Sequence, residues 1–259
     1  MACTARPRIR RLVRLASLGQ LLWEKPFSGN RHRHPLSPPP HLGILQSLVR
    51  STLLRFSMLH TSAVPLNLLS VLTDLQRRVN SAGFGLAGGT SLALRFGHRL
   101  SVDLDFFTTA PFEPTTLASQ LGVGPESITG LSEGTLQLRM DGVKVEFLKH
   151  AYPKLADDDL IDGIKLWSLK DVAAMKLNAI SNRGSKKDFY DLAALLDHLP
   201  LQTLIDHYQA KYSPASLMMV IRSLAWFDDA DAEPDPISLR NDTWPAVVDQ
   251  ISSAIRTLK

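Results

Sequence analysis

At 259 residues the chain can bury a full core as one domain or as two small, tightly packed lobes. Its single cysteine, Cys3, excludes an internal disulfide framework and a cysteine-built zinc site, and fits a reducing, cytoplasmic setting. No apolar run approaches the roughly eighteen residues that a membrane helix needs, so no membrane partner is expected.

The sequence pI of 9.3 invites a nucleic-acid reading, but the charge is unevenly placed. Residues 1–57 carry nine Arg and one Lys against the single acid Glu24, whereas residues 58–259 hold 19 basic and 24 acidic residues. The larger part is therefore mildly acidic and offers no bulk electrostatic case for binding DNA or RNA. Residues 1–57 read as a basic, Pro- and Arg-rich extension, disordered by composition, with Arg31-His32-Arg33-His34 followed by Pro38-Pro39-Pro40. A transit peptide is the competing reading. A secretory signal fits poorly, because Arg14 and Gln20 interrupt the one apolar stretch.

From Leu66 the pattern becomes globular. Leu68, Leu69, Leu72, Leu75 and Val79 recur at helical spacing and predict an amphipathic helix over 66–82. Phe84 to Ala87 reads as a short buried strand running into the tight turn Gly88-Gly89. A short helix over Ser91 to Phe96 would close on Gly97 as its C-terminal cap. Ser101 to Phe107 alternates, with Val102, Leu104 and Phe106 on one side and Ser101, Asp103 and Asp105 on the other.

Further on, Leu136–Met140 and Val143–Leu148 flank Asp141-Gly142, a strong hairpin signal. Ser168 opens a long helix as N-cap, with Asp171 three residues on, and Gly184 ends it. A second helix runs from about Lys187 to Leu199, before Pro200. Beyond 201 more helices are interrupted by Asp228 to Asp235, read as a solvated acidic loop. The order of elements predicts an α+β lobe over 58–165 and a helical lobe over 166–259.

The chemistry concentrates on the alternating strand. Residues two apart on a strand point the same way, roughly 6.5–7 Å apart, so Asp103 and Asp105 can converge on a cation. Magnesium favours a few carboxylates completed by substrate phosphate oxygens over a full protein cage. Glu146, on the polar face of Val143–Phe147, qualifies as a third ligand. In the glycine turn, Gly88 and Gly89 let backbone approach a phosphate, Thr90 and Ser91 add hydroxyls, and the following helix N-terminus favours an anion. Gly-Gly-Thr alone is most often an ordinary turn, and Asp-x-Asp alone an exposed strand face. Their conjunction in this order is far more specific.

These residues resemble a family. The run from Phe84 to Phe107, with Val145-Glu146-Phe147 and the segment Lys170 to Leu196, is similar to the AbiEii/AbiGii-type nucleotidyltransferase toxins of the DNA-polymerase-β-like superfamily. The likeness covers roughly residues 60–259. It implies a nucleotidyltransferase-type mixed sheet followed by a helical lobe, and a magnesium-dependent enzyme that moves a nucleotide from a nucleoside triphosphate to an acceptor. It further implies a toxin neutralised by a cognate antitoxin protein, with RNA, and in some members the acceptor end of tRNA, as the substrate.

Lys176 lies within an apolar stripe with Val172 and Ile180, a place lysine seldom occupies unless paired or snorkelling. The resemblance assigns it to nucleotide phosphate. Acids in a helix's first turn usually serve the helix dipole. The match to the family's Lys-Asp-x-x-Asp-Leu pattern instead carries an acceptor-organising or general-base role to Asp191 first and Asp188 second. Arg183, just before that helix, could pair with a carboxylate or a phosphate. His98 and Arg99 flank the aspartate strand and could touch phosphate, although turn residues before a strand are often merely polar. The rival readings are a non-catalytic nucleotide- or partner-binding protein on the same fold, and transfer to protein instead of RNA.

Overall fold

The leucines recurring every three or four residues after position 66 fold into helix α1 (Leu66–Val79), which buries Leu68, Leu72 and Leu75. The structure is a computed structural model that describes residues 58–79, 82–212 and 217–258. The reading of residues 1–57 lies outside these. After α1 come β1 (Gly85–Leu86), α2 (Gly88–Phe96), β2 (Asp103–Thr108) and α3 (Pro114–Gln120). The strands β3 (Ile128–Ser132), β4 (Thr135–Met140), β5 (Val143–Lys149), β6 (Asp159–Ile161) and β7 (Ile164–Leu166) follow. Helices complete the chain: α4 (Leu169–Asn182), α5 (Lys186–Leu196), α6 (Leu201–Lys211), α7 (Leu217–Leu224), α8 (Asp228–Asp231) and α9 (Trp244–Arg256).

The strands form one seven-stranded mixed sheet in the order β3-β4-β5-β2-β1-β7-β6. β2 runs parallel to β5 and β1 parallel to β7, while the other neighbours are antiparallel. The class is α+β, as the order of elements predicted. β4 and β5 close on Asp141-Gly142, Gly97 caps α2 with φ 60°, and Ser168 Oγ accepts the Asp171 N–H at 3.1 Å.

Two apolar cores lie on opposite faces of the sheet. Leu104 and Phe106 of β2, with Val145 and Phe147 of β5, pack with Leu68, Leu72 and Leu75 of α1. The second core gathers Trp167 with the buried faces of α4, α5 and α6. Because α1 takes the apolar side of β2 and β5, the alternate side of those strands is left to border a cleft.

Two expectations change. Val102 does not share a face with Leu104: it precedes the strand and is 54% exposed, while Ser101 is buried. The acidic run is solvent-exposed as expected, but it is not all loop and it carries contacts. Asp228–Asp231 is a turn of helix, the Lys186 N–H donates to Glu233 at 2.8 Å, and the buried Lys186 ammonium pairs with Asp235 at 3.0 Å. The segment beyond it lies along the turn after α2, with Leu100 donating to the Ile237 carbonyl at 2.8 Å and Leu239 to that of His98 at 2.9 Å.

Candidate active site

The parallel pairing of β2 with β5 sets Asp103 opposite Lys144 and Asp105 opposite Glu146. Asp103, Asp105 and Glu146 thus share the face turned away from α1. Glu146 is occupied: one oxygen accepts from Gln137 Nε2 at 2.6 Å and the other pairs with Lys144 at 3.2 Å. Among the described residues no three His, Cys, Asp or Glu side chains are drawn together closely enough to form a metal cage. The expected trio therefore becomes an aspartate pair with Glu146 behind it.

Burial, the Glu146 charge and the Asp103 charge together push the Asp105 carboxyl up to about 6. Lys176 and Lys144 pull the other way without prevailing. Crowded, under-neutralised carboxylate oxygens suit a hard divalent cation. A pair of aspartates is also the protein share that magnesium takes when phosphate oxygens supply the rest. The donor set fits.

Gly88 opens α2 with φ +65°, a conformation costly for other residues. A Cβ there would run into the Asp105 carboxylate, and one on Gly89 would run into the Arg99 guanidinium. The turn is glycine because it is wedged between these two charged groups. Thr90 and Ser91 depart from expectation, since their hydroxyls are buried and used locally. Thr90 Oγ1 donates to the Asp103 carbonyl and lies 2.8 Å from Ser101 Oγ, while Ser91 Oγ donates to the Gly88 carbonyl at 2.9 Å. Thr90 thereby ties α2 to the start of the aspartate strand. What remains for an anion is backbone: Ala87, at the N-cap, offers no side-chain acceptor to the first N–H groups of the helix.

Facing this strand is a closed charge network. Lys176, only 5% exposed, neither snorkels to water nor presents a free ammonium. Its Nζ lies 2.7 Å from Asp188 and 2.7 Å from Asp191. Asp191 also receives His98 Nε2 at 2.8 Å and a two-point contact from Arg99 at 2.7 and 2.9 Å. Burial alone would raise the Asp191 carboxyl, but the Arg99 and Lys176 charges outweigh it and hold the group well below the carboxylate range. A carboxylate so saturated has no lone pair to offer a proton, so the general-base expectation for Asp191 gives way to a positioning role.

Asp188 is engaged likewise by Lys176, by Arg183 at 2.9 and 3.1 Å and by Ser185 at 2.9 Å. Reading His98 and Arg99 as mere turn polarity missed this network. The available signal was two basic residues immediately after the helix-capping Gly97, beside an aspartate strand.

Two clefts meet at this point. The larger, about 360 Å³, is bordered by Gly88, Gly89, Asp105 and Glu146. The smaller, about 290 Å³, is bordered by Asp103, Lys187 and Ile237. Gly89, Asp105, Lys176 and Arg183 line both, so a group in either cleft can meet Asp105. The Arg183 side chain remains 58% exposed while bonded to Asp188.

Residues 70–133 and 138–257 match the family model described as nucleotidyl transferase AbiEii toxin, type IV TA system. An uncharacterized protein of Aquifex aeolicus (strain VF5) is 38% identical over 160 residues, spanning 58% of this chain and 76% of that protein. A solved candidate nucleotidyltransferase from H. pylori has a TM-score of 0.50 at 14% identity, over 74% of this chain and 92% of its own. MenT4, a nucleotidyltransferase toxin from Mycobacterium tuberculosis H37Rv, has a TM-score of 0.49 at 15% identity, over 74% of this chain and 84% of its own. At 14% identity the likeness to the H. pylori structure concerns the fold.

Proposed function

The chain belongs to the AbiEii nucleotidyl transferase toxin family, and from that premise we propose that it transfers a nucleotide from a nucleoside triphosphate to RNA in a magnesium-dependent reaction. The observation that carries the reading is Asp105, in register with Glu146, sharing its face with Asp103 and packed against Gly88. Asp103 and Asp105 would hold the metal, with Glu146 as the outer acid. Magnesium, when bound, neutralises phosphate oxygens and eases ionisation of the attacking hydroxyl. Backbone N–H groups of Gly88 and Gly89 hold the triphosphate, as the adjoining helix dipole favours.

Opposite the acids, the permanent cations Arg99, Lys176 and Arg183 face the two carboxylates Asp188 and Asp191. The surplus positive charge suits an anionic ligand, and Arg183, reaching both clefts, is the cation best able to touch it. Lys176, Asp188 and Asp191 fix the distance between helices α4 and α5. The acceptor hydroxyl attacks the α-phosphorus and pyrophosphate leaves. Such transfers rest mainly on positioning and charge stabilisation.

In this reading the protein is the toxin of a pair, acts in the cytoplasm and is silenced by a cognate antitoxin. The acceptor end of tRNA is the first RNA to test. Incubation with labelled nucleoside triphosphates, magnesium and total RNA should label RNA, and Asp105→Ala should abolish the label. Label on polypeptide would move the acceptor to protein, and binding without transfer would leave a nucleotide-binding protein. Induced expression should arrest growth, relieved by the antitoxin.

A further inference from the structure

The larger cleft has two unlike ends. Charge gathers at Gly88, Gly89 and Asp105, whereas Phe107, Leu148, His150 and Tyr212 make the other end aromatic and apolar. We infer that this second end receives the nucleobase, and that His150 selects among bases by a hydrogen bond from its Nδ1. The inference rests on the nucleotide-transfer reading and assigns its specificity.

His150 follows β5 directly, and its N–H donates to the Thr108 carbonyl at 2.8 Å, which fixes its backbone beside the aspartate strand. Its ring stands edge-on to Phe107 at 6.0 Å, to Tyr212 at 6.1 Å and to Trp167 at 5.4 Å. Tyr152 closes a fourth side at 5.5 Å. So enclosed, the plane of the imidazole is held by its aromatic neighbours. Its Nε2 is buried with no partner among the described residues, which leaves Nδ1 as the nitrogen able to meet a ligand.

Burial and the Lys211 charge push the imidazole down to about 4, so the ring is neutral at physiological pH and carries one proton. A proton on Nε2 would be a buried, unmet donor, which is less tolerable than a bare lone pair, so the proton sits on Nδ1. The site thus offers a fixed N–H donor in an apolar slot next to the phosphate-binding end. A base with a carbonyl or ring-nitrogen acceptor at that position is favoured over one presenting an amino group. Phenylalanine would fill the same space without leaving a nitrogen unmet, so packing alone does not account for a histidine.

The test measures equilibrium binding of ATP, GTP, CTP and UTP, each with magnesium, to wild type, His150→Phe and His150→Asn. Wild type should favour some bases, His150→Phe should shrink that preference by about tenfold, the size of one net hydrogen bond. His150→Asn, whose amide reaches the Nδ1 position, should recover part of it. A preference unchanged in His150→Phe, or none in wild type, would overturn the inference. Inorganic tripolyphosphate has no base and serves as reference. A fall in its affinity as large as that for the nucleotides would mean that His150 only supports the fold. A wild type that binds no nucleotide would sink the transfer reading itself.

Discussion

Lys176 and Asp191 form an ion pair of 2.7 Å in which neither side chain reaches water to any extent. Taking two charges out of solvent is costly, and the attraction regained repays it only when every remaining lone pair and proton is met. Here the demand is met by Asp188 on one side and by His98 and Arg99 on the other. Lys176→Met keeps the aliphatic volume but leaves Asp188 and Asp191 short of a cation. It should destabilise the protein by about 3–5 kcal/mol, the range for one broken partner of a buried pair. Denaturant unfolding at the wild-type midpoint would show that the network does not hold α4 to α5.

The same network sets an acid limit. Burial raises the Asp188 carboxyl, but Lys176 and Arg183 overcome it and bring it from 3.8 to about 2. A carboxyl lowered in the folded state contributes stability that is complete above the unfolded value. That contribution is lost as pH falls toward the folded value. Stability should therefore drop between about pH 4 and pH 2, and Asp188→Asn should flatten that part of the curve. Denaturant midpoints measured from pH 5 to pH 2 decide the matter, and equal slopes for the two proteins would contradict it.

Metal removal should act through Asp105. With no cation its carboxylate is buried and crowded by Glu146 and Asp103, so ionising it costs stability at neutral pH. Asp105→Asn relieves that crowding and removes a ligand, giving two opposite effects. Without magnesium the variant should melt a few degrees above wild type. Added magnesium should raise the melting temperature of wild type, by mass action, and leave the variant where it was. EDTA should abolish transfer by wild type. Magnesium stabilising both proteins equally would place the metal elsewhere.

How far the sequence foretells this arrangement depends on the range of each interaction. Asp103, Asp105 and Glu146 are legible because strand alternation is a local property, and the hairpin at Asp141-Gly142 fixes which way Glu146 faces. The hairpin formed by β6 and β7 also carries an Asp-Gly turn, Asp162-Gly163, yet strands of three residues are too short for alternation to register. Arg99 and Asp191 are 92 residues apart in sequence, and no periodicity links them. Lys176 was conspicuous in its apolar stripe. Its partners follow only once α5 is packed beside α4. The aromatic enclosure of His150 draws on Phe107 in β2, Trp167 just after β7 and Tyr212 just after α6, so it exists only in three dimensions.

Gly88 offers the sharpest separation of fold from site. Gly88→Ala places a methyl group in a left-handed backbone conformation, costing about 1–2 kcal/mol. That alone leaves a domain of ordinary stability folded. The same methyl group also meets the Asp105 carboxylate and crowds its Cβ, so the carboxylate must turn away from its place beside the glycine turn. The loss should therefore be disproportionate: a modest fall in melting temperature with transfer and magnesium binding nearly gone. Gly142→Ala is the comparison, since it too has a positive φ, 79°, but none of the described residues comes within 4 Å of its added carbon. It should cost similar stability and keep transfer. If both variants lose transfer equally, backbone strain is the cause, and the close approach of Gly88 to Asp105 has no part in the chemistry.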